Sequence, residues 1–351
     1  MIRQRSGPRS CARSTRLVIV ALLCVLAAAC GGGAADSAAG GKAATPDAAL
    51  EPLSFGYQSS LFGAPLILAE EAGFWQDAGL QIESQRFSAG KDVRDALIAG
   101  SVDAGSIGPT PFIVAAATGQ LAAVAVAGYL GDTSWLVVRE DSAIESVEDL
   151  RGHDVAAARG SITELIFMEK VLPANGMTPE DVNLRNVTFA DQVAALTTGE
   201  VDAFVGLEPY VSIAEEQGIG VPVQSFAEFD LLPNILAFST DFLENNEETA
   251  VATVQTYFDA TQFIEEDFDE AASILHQDFA SAGLQMAPET LSTAFEKVDV
   301  NPLLTEELRD YLDEQAQLLM ERGEIDQIPD WDEVLRLDIQ EQAMTDYWAD
   351  K

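Results

Sequence analysis

Gly100-Ser101-Val102-Asp103-Ala104-Gly105-Ser106-Ile107-Gly108-Pro109-Thr110-Pro111 is the stretch of sequence that decides the fold. Val102 to Ile107 is small and apolar enough to predict a buried parallel strand, and Gly100 suits the position after a helix. The Gly-Pro-Thr-Pro turn then predicts a new helix, because a first helical turn tolerates proline. Such a corner leaves free backbone N–H groups at the carboxyl edge of a sheet, where open α/β sheets bind small ligands.

The same device recurs twice further along the chain. It returns at Arg159-Gly160-Ser161 and, less clearly, at Gly206 to Tyr210. An internal echo accompanies it, since residues 96–104 (ALIAGSVDA) resemble residues 195–203 (ALTTGEVDA). In both, a helix ends at glycine and a strand begins with Val-Asp-Ala. The echo predicts two lobes built on one plan, whose corners meet in one cleft.

Strand and helix patterns alternate from Leu53 to Ser239, which predicts an α/β fold. We assign residues 53–138 and 232–351 to a first lobe and residues 139–231 to a second. Beyond Asp241 the strands stop. The amphipathic stretches that follow predict four additional C-terminal helices, and residues 327–351 are expected to dock on the body. The stretches are residues 247–265, 270–280, 288–297 and 305–322.

The N-terminus has the pattern of an export signal. Five arginines precede an apolar run, and small residues lead into Cys30. We interpret residues 1–29 as a bacterial lipoprotein signal peptide, Cys30 as the lipidated residue and residues 30–52 as a flexible tether. The alternative is an ordinary cleaved signal with a chance cysteine.

Charge and cysteine usage narrow the function. The chain has 58 acidic against 19 basic residues, a formal net charge of −39, which makes nucleic acid a poor partner. The three cysteines are Cys11, Cys24 and Cys30, so the body after Cys30 has no thiol chemistry. With only His153 and His276 far apart in sequence, we expect no metal site and no cofactor.

Several motifs together resemble the ABC-transporter solute-binding proteins of the nitrate/sulfonate/taurine group, which includes binders of thiamine-precursor pyrimidines. The resemblance covers roughly Leu53 to Phe242, and the motifs are specific in their order rather than singly. They are Phe55-Gly56-Tyr57-Gln58, Glu71-Ala72-Gly73-Phe74-Trp75, Ala78-Gly79-Leu80, Ala99 to Asp103, Val138 to Ser142, Val147 to Gly152, Ala158 to Ser161 and Glu208-Pro209-Tyr210.

The resemblance implies a two-lobed periplasmic-binding-protein-like fold of type II. It also implies a lipid-anchored monomeric receptor on the extracytoplasmic face of the cell membrane. A small organic solute (a sulfonate, carboxylate or nitrogen heterocycle) would bind between the lobes, and closure would present the receptor to an ABC permease and its ATPase. Such a receptor makes and breaks no bond, so it is not an enzyme.

The candidate ligand contacts lie at the predicted corners and at the crossing between lobes. They are Gln58, Ser59, Ser60, Gly108, Pro109, Thr110, Ser134, Trp135, Arg159, Ser161, Thr163, Glu164, Glu208 and Tyr210.

Two ligand charges are open for these residues. Hydroxyl and backbone N–H groups at Thr110, Ser161 and Thr163, with Arg159 as a clamp, suit an anion. If Glu164 and Glu208 face the cleft, a cationic ligand stacked on Trp135 or Tyr210 is credible instead.

Two other function classes are also open. An enzyme on the same scaffold, of the pyrimidine-synthesising or menaquinone-pathway type, is one alternative. A lipoprotein that senses its ligand is the other. Neighbouring genes for a permease and an ATPase would favour import, and a neighbouring membrane kinase would favour sensing.

Overall fold

The computed structural model describes residues 50–58 and 60–350, with side chains up to residue 347. The signal peptide, Cys30, nearly all of the tether and Ser59 therefore lie outside the described residues. No helix in the described ranges combines the length and the apolar character that a bilayer span requires.

The strands form two sheets. They are β1 (Leu53–Gln58), β2 (Ile82–Phe87), β3 (Ala104–Ile107), β4 (Leu121–Tyr129), β5 (Ser134–Arg139), β6 (Asp154–Ala157), β7 (Asn183–Asn186), β8 (Ala203–Leu207), β9 (Gly220–Ser225) and β10 (Pro233–Ser239).

Helices surround both sheets. In the first 240 residues they are α1 (Ala64–Glu71), α2 (Phe74–Asp77), α3 (Gly90–Ile98), α4 (Pro109–Ala116), α5 (Ile162–Ile166), α6 (Leu172–Ala174), α7 (Phe189–Thr198) and α8 (Tyr210–Glu216). A π-helical turn, Phe167–Val171, joins α5 to α6.

The later helices form the C-terminal region. They are α9 (Thr240–Leu243), α10 (Glu247–Glu266), α11 (Phe268–Ser281), α12 (Pro288–Phe295), α13 (Glu306–Glu321), α14 (Trp331–Val334) and α15 (Leu337–Asp350). The four predicted amphipathic helices are thus confirmed as α10 to α13. The docking of the last segment is also confirmed, because Trp331 and Leu335 are buried and α15 packs on α10.

The two sheets have matching orders. The first sheet runs β2-β1-β3-β10-β4 and the second β7-β6-β8-β5-β9. In each, three neighbouring strands are parallel and the fourth, β10 or β5, is antiparallel to them. The carboxyl ends of the parallel strands therefore share one edge in each sheet, which is where ligand-binding corners form.

The sequence echo corresponds to one structural device used twice. Asp103 Oδ2 accepts the backbone N–H of Ser54 at the start of β1, at 3.0 Å. Asp202 Oδ2 accepts the backbone N–H of Asp154 at the start of β6, at 3.2 Å. Each aspartate thus ties the strand that begins with Val-Asp-Ala to its parallel neighbour.

One predicted boundary needs correction. The assignment of residues 53–138 to the first lobe cuts through β5, which pairs with β8 of the second sheet from Ser134 onward. The chain therefore crosses between the sheets at residues 130–133 and returns at residues 226–232. The apolar run Trp135 to Val138 predicts a strand, but a single strand carries no information about which sheet it joins.

Close packing of α3 on the first sheet requires glycine on two paired strands. Gly56 of β1 and Gly105 of β3 are register partners, and Val93 of α3 lies over both. A Cβ at Gly105 would lie 2.6 Å from Val93 Cγ1 and 3.0 Å from the carbonyl oxygen of Gly56. This contact fixes the height of α3 above the sheet.

Gly105→Ala is expected to lower the free energy of unfolding by about 1–3 kcal/mol, because the added methyl group overpacks this contact. Gly108→Ala is the matched control, since its Cβ would have no neighbour closer than Ile162 Cγ2 at 3.8 Å. Urea unfolding followed by circular dichroism measures both. Equal stability of the two variants would contradict the packing described.

Candidate ligand-binding cleft

A cleft lined by residues of both sheets and their helices lies between the two lobes. Its first-lobe wall consists of Gln58, Phe62, Ala89, Gly90, Lys91, Gly108 and Pro111. Its second-lobe wall consists of Ala158, Arg159, Gly160, Ser161, Ile162, Asn186, Thr188, Phe189 and Leu207.

Four helices begin at this cleft, each just after a parallel strand. They are α3 after β2, α4 after β3, α5 after β6 and α7 after β7. Ala89 and Gly108, which precede α3 and α4, provide no side-chain cap for the first N–H groups of those helices. Backbone donors and the positive ends of helix dipoles therefore converge on one gap.

Small residues bring the walls close together. A Cβ at Gly108 would lie 3.8 Å from Ile162 Cγ2 of the opposite lobe. A Cβ at Gly90 would lie 3.2 Å from Gln58 Nε2, 3.3 Å from Pro111 Cγ and 3.6 Å from the backbone nitrogen of Gly108. Glycine at position 90 thus keeps the α3 corner against the α4 corner.

The cleft differs in charge from the rest of the chain. Among the described residues, its lining includes two cations, Lys91 and Arg159, and no aspartate or glutamate, although the sequence has 58 of them. The backbone N–H of Arg159 donates to Asn186 Oδ1 at 3.1 Å, which links two corners of the second lobe. The Arg159 side chain is 67% exposed, with Nε 3.8 Å from Glu164 Oε1.

Some predicted contacts line the cleft and others lie just behind its surface. Gln58, Gly108, Arg159 and Ser161 are in the lining. The remaining corner residues support it: Ser60 accepts the N–H of Phe62, Pro109 and Thr110 are buried in the first turn of α4, and Thr163 Oγ1 lies 2.8 Å from Ser161 Oγ.

Thr110 lies just behind the surface of the cleft, with its hydroxyl group buried. It is 3% exposed, and within the described residues its Oγ1 has no hydrogen-bond partner. It lies between Gly108 and Pro111, which both line the cleft. Ser59, the remaining predicted residue of the first corner, lies outside the described residues.

Glu164 does not face the cleft. Its Oε2 accepts the backbone N–H of Gly160 at 2.7 Å, while its own N–H donates to Ser161 Oγ at 3.2 Å. These reciprocal bonds hold the loop that begins α5, in the manner of a capping box. Glu164 therefore stabilises the conformation of the loop between β6 and α5.

The structure also removes Ser134, Trp135 and Glu208 from the cleft lining. Ser134 Oγ points to the carbonyl oxygen of Gly206 at 3.4 Å. Glu208 is buried, with Oε1 3.0 Å from Lys297 Nζ. The same Nζ lies 5.7 Å from the centre of the Trp135 ring.

This lysine belongs to the segment after α12. It therefore occupies Glu208 and Trp135, two of the four groups that sequence reasoning assigned to a cationic ligand. The other Glu208 oxygen, Oε2, accepts the N–H of Ser212 at 3.0 Å.

Tyr210 begins α8 and is not part of the cleft lining. It is 4% exposed. Burial raises its pKa to about 12, an effect that the nearby positive charge of Arg86 partly opposes. The phenol of Tyr210 therefore stays neutral at physiological pH.

Sequence reasoning missed several cleft residues, above all Lys91. The stretch Ser88-Ala89-Gly90-Lys91 follows β2 and opens α3, and is the same type of corner as those recognised. The sequence analysis named no ligand contact at this corner. Glycine and a cation directly after a strand are the signal that would have found it. Asn186, the last residue of β7, and Thr188, two residues later, form a further corner that the sequence analysis did not name.

Metal-ligand groups do not define this site. Across residues 50–58 and 60–350, no three histidine, cysteine, aspartate or glutamate side chains group closely enough to hold a metal ion.

The chain resembles known binding proteins in sequence. An aliphatic sulfonates-binding protein, so named, of Escherichia coli K12 is 33% identical over 177 residues, which is 50% of this chain and 55% of that protein. The taurine-binding periplasmic protein of the same strain is 25% identical over 213 residues, 60% of this chain and 65% of that protein. The matches thus span less than two thirds of these relatives.

Comparison of structures shows the fold. The alkanesulfonate-binding protein SsuA of Xanthomonas axonopodis pv. citri, bound to MOPS, has a TM-score of 0.71 at 22% identity, covering 83% of this chain and 99% of that one. The predicted two-lobed α/β fold is confirmed. The model of the NMT1-like family matches residues 47–276. The chain therefore belongs to the NMT1-like family.

Proposed function

We propose that the chain is the solute-binding receptor of an ABC importer and that it holds a small organic anion between its lobes. The observation that carries this proposal is the lining of the cleft, where four helix N-termini meet Lys91 and Arg159 and no described lining residue is an aspartate or glutamate. In a chain with a net charge of −39, such a lining is a local reversal of sign.

The position of Lys91 supports an anionic ligand independently. A cation in the first turn of a helix is disfavoured by the helix dipole. Lys91 occupies that turn in α3 and lines the cleft. An anion between Lys91 and the helix end would reverse the repulsion, because it attracts both. Charge-assisted hydrogen bonds of this kind are about twice as strong as neutral ones.

The rest of the lining suits an apolar body on that anion. Phe62, Pro111, Ile162 and Phe189 contribute carbon surface on both walls. A sulfonate or carboxylate with an apolar chain or ring satisfies both parts of the lining. Sulfonates are also the ligands in the names of the relatives above. The cationic alternative loses its two carboxylates, because Glu164 and Glu208 bind groups of the protein itself.

Ligand capture would work by differential affinity. A ligand that contacts Lys91 on one lobe and Arg159 on the other binds the closed arrangement more tightly, so it shifts the population toward closure. The closed receptor would then be recognised by a membrane permease with its ATPase. We further propose that a lipid on Cys30 anchors the monomeric receptor to the extracytoplasmic face of the membrane through its N-terminal tether.

Binding without catalysis is part of the proposal. Ser161 Oγ bonds within its own helix turn, and neither histidine of the chain is in the cleft lining. His153 Nδ1 lies 2.9 Å from Asp202 Oδ2, and His276 Nε2 lies 3.0 Å from the carbonyl oxygen of Met286. An enzyme on this scaffold would need a nucleophile or base at the cleft, and these contacts favour neither.

The ligand class is tested by thermal shift with three matched compounds: pentanesulfonate, hexanoate and pentylammonium. We expect the two anions to raise the melting temperature and the ammonium to leave it unchanged. An anion at one hundred times its dissociation constant adds about 2.7 kcal/mol of stability. Stabilisation by pentylammonium alone would contradict the proposal.

The site is tested with Lys91→Met and Arg159→Met. Each is expected to weaken binding of the stabilising anion at least tenfold by isothermal titration calorimetry, because each removes a charged partner from one wall. Arg94→Met is the matched control, since Arg94 lies on α3 but pairs with Asp95 outside the cleft lining. Unchanged affinity in both cleft variants would remove the proposed site.

Variants of the pair Glu208–Lys297 test whether Glu208 stabilises the fold or binds the ligand. Lys297→Met leaves a buried carboxylate unpaired and is expected to cost about 3–5 kcal/mol of unfolding free energy. Adding Glu208→Gln to that variant should recover part of the loss. Anion affinity should stay unchanged in Glu208→Gln alone. Loss of ligand binding by Glu208→Gln at full stability would instead assign Glu208 to the site.

A further inference from the structure

A buried carboxylate lies where the chain returns from the second lobe to the first. Asp230 belongs to the returning segment, residues 226–232, and its side chain is 0% exposed. It accepts from Lys170 Nζ at 3.0 Å, Tyr311 OH at 2.5 Å, Gln315 Nε2 at 3.3 Å and the backbone N–H of Leu232 at 3.0 Å.

The donors come from different parts of the molecule. Lys170 belongs to the π-helical turn of the second lobe, and Phe167 of that turn stacks on Phe226 with ring centres 6.4 Å apart. Tyr311 and Gln315 belong to α13, which packs on α4 of the first lobe. Asp230 therefore joins a second-lobe helix to a helix that rests on the first lobe.

The backbone beside Asp230 is strained at the point of return. Leu232 has φ of 45°, a left-handed conformation that non-glycine residues rarely adopt. Asp230 Oδ1 accepts the N–H of this residue. Strained residues persist only where their surroundings hold them, and they cluster at switch regions. The carboxylate is one of the groups that hold Leu232 in this conformation.

The other crossing segment touches the same point. The backbone N–H of Leu130 donates to the carbonyl oxygen of Leu232 at 3.0 Å. A Cβ at Gly131 would lie 2.6 Å from the carbonyl oxygen of Asp230, so only glycine fits there without displacement. Both chain segments that connect the lobes are thus packed around Asp230.

We propose that Asp230 is the positioning residue of the hinge: by binding Lys170, Tyr311 and Leu232 together, it holds the lobes at the angle that closes the cleft. This inference rests on the proposed function in one respect only: ligand capture is what closure of the cleft would serve. Rotation of the second lobe away from the first would pull Lys170 and Tyr311 apart, and a buried carboxylate tolerates poorly the loss of its partners. The charge therefore favours the closed arrangement.

Tyr311 is the donor best suited to test this. Burial of Tyr311 raises the pKa of its phenol well above the ordinary value, and the negative charge of Asp230 adds to this effect. The phenol consequently remains protonated and keeps donating to Asp230. Tyr311→Phe deletes that donor without opening a cavity, and it leaves the bond between Lys170 and Asp230 in place.

Hydrogen–deuterium exchange of the full chain without ligand measures the hinge directly. We expect Tyr311→Phe to speed exchange about tenfold in peptides from the two cleft walls, residues 88–92 and 158–163, because the lobes separate more often. Tyr257→Phe is the matched control: its hydroxyl is buried in the first lobe and, within the described residues, has no hydrogen-bond partner. Lys170→Met, which removes the donor on the other lobe, should act in the same direction.

Faster exchange confined to residues 226–232 and α13, with both cleft walls unchanged in Tyr311→Phe and Lys170→Met, would overturn the proposal. Asp230 would then only stabilise its surroundings. A uniform rise throughout the chain would overturn it as well, since that pattern reports global destabilisation. The readout needs no ligand, so its result is independent of whether the organic anions bind.

Discussion

Unsatisfied N–H groups at helix N-termini are the constraint on which the rest of the structure depends. Backbone donors that leave water need acceptors, and the first turns of helices provide none of their own. Here four such turns face one gap, and three of the helices, α3, α4 and α7, lack a side-chain cap. Lys91 and Arg159 add full charges of the same sign. An acidic protein thereby contains one cleft that suits an anion.

A duplicated architecture produces this convergence. The two sheets have the same strand order, so each presents the carboxyl ends of three parallel strands at one edge. Asp103 and Asp202 repeat one contact at equivalent strand pairs. Two similar half-sites facing each other give a ligand contacts on both lobes, and binding is then coupled to the angle between them. The C-terminal region also contacts the second lobe and the returning segment between the lobes. Lys297 pairs with Glu208, and Tyr311 of α13 donates to Asp230.

Local sequence patterns predicted most of the helices and strands but only part of the cleft lining. Alternating apolar runs and glycine stops predicted the strands and helices, because both signals act within a few residues. They did not predict that β5 joins the second sheet, since pairing depends on distant partners. Gln58, Gly108, Arg159 and Ser161 were found from strand-to-helix corners. Trp135 and Glu208 instead contact Lys297, and this could not be predicted because Lys297 lies about 90–160 residues away in the chain.

The most direct measurement of the cleft is the amide NMR spectrum of the glycine-labelled chain during titration with pentanesulfonate. Gly90, Gly108 and Gly160 line the cleft, whereas Gly56 and Gly105 lie in the first sheet and serve as internal references. We expect the amides of Gly90 and Gly108 to shift downfield in proportion to occupancy, the amide of Gly160 to shift less because it already donates to Glu164 Oε2, and the reference amides to stay in place. Saturable binding that leaves all three cleft amides unmoved would contradict an anion held by the helix N-termini.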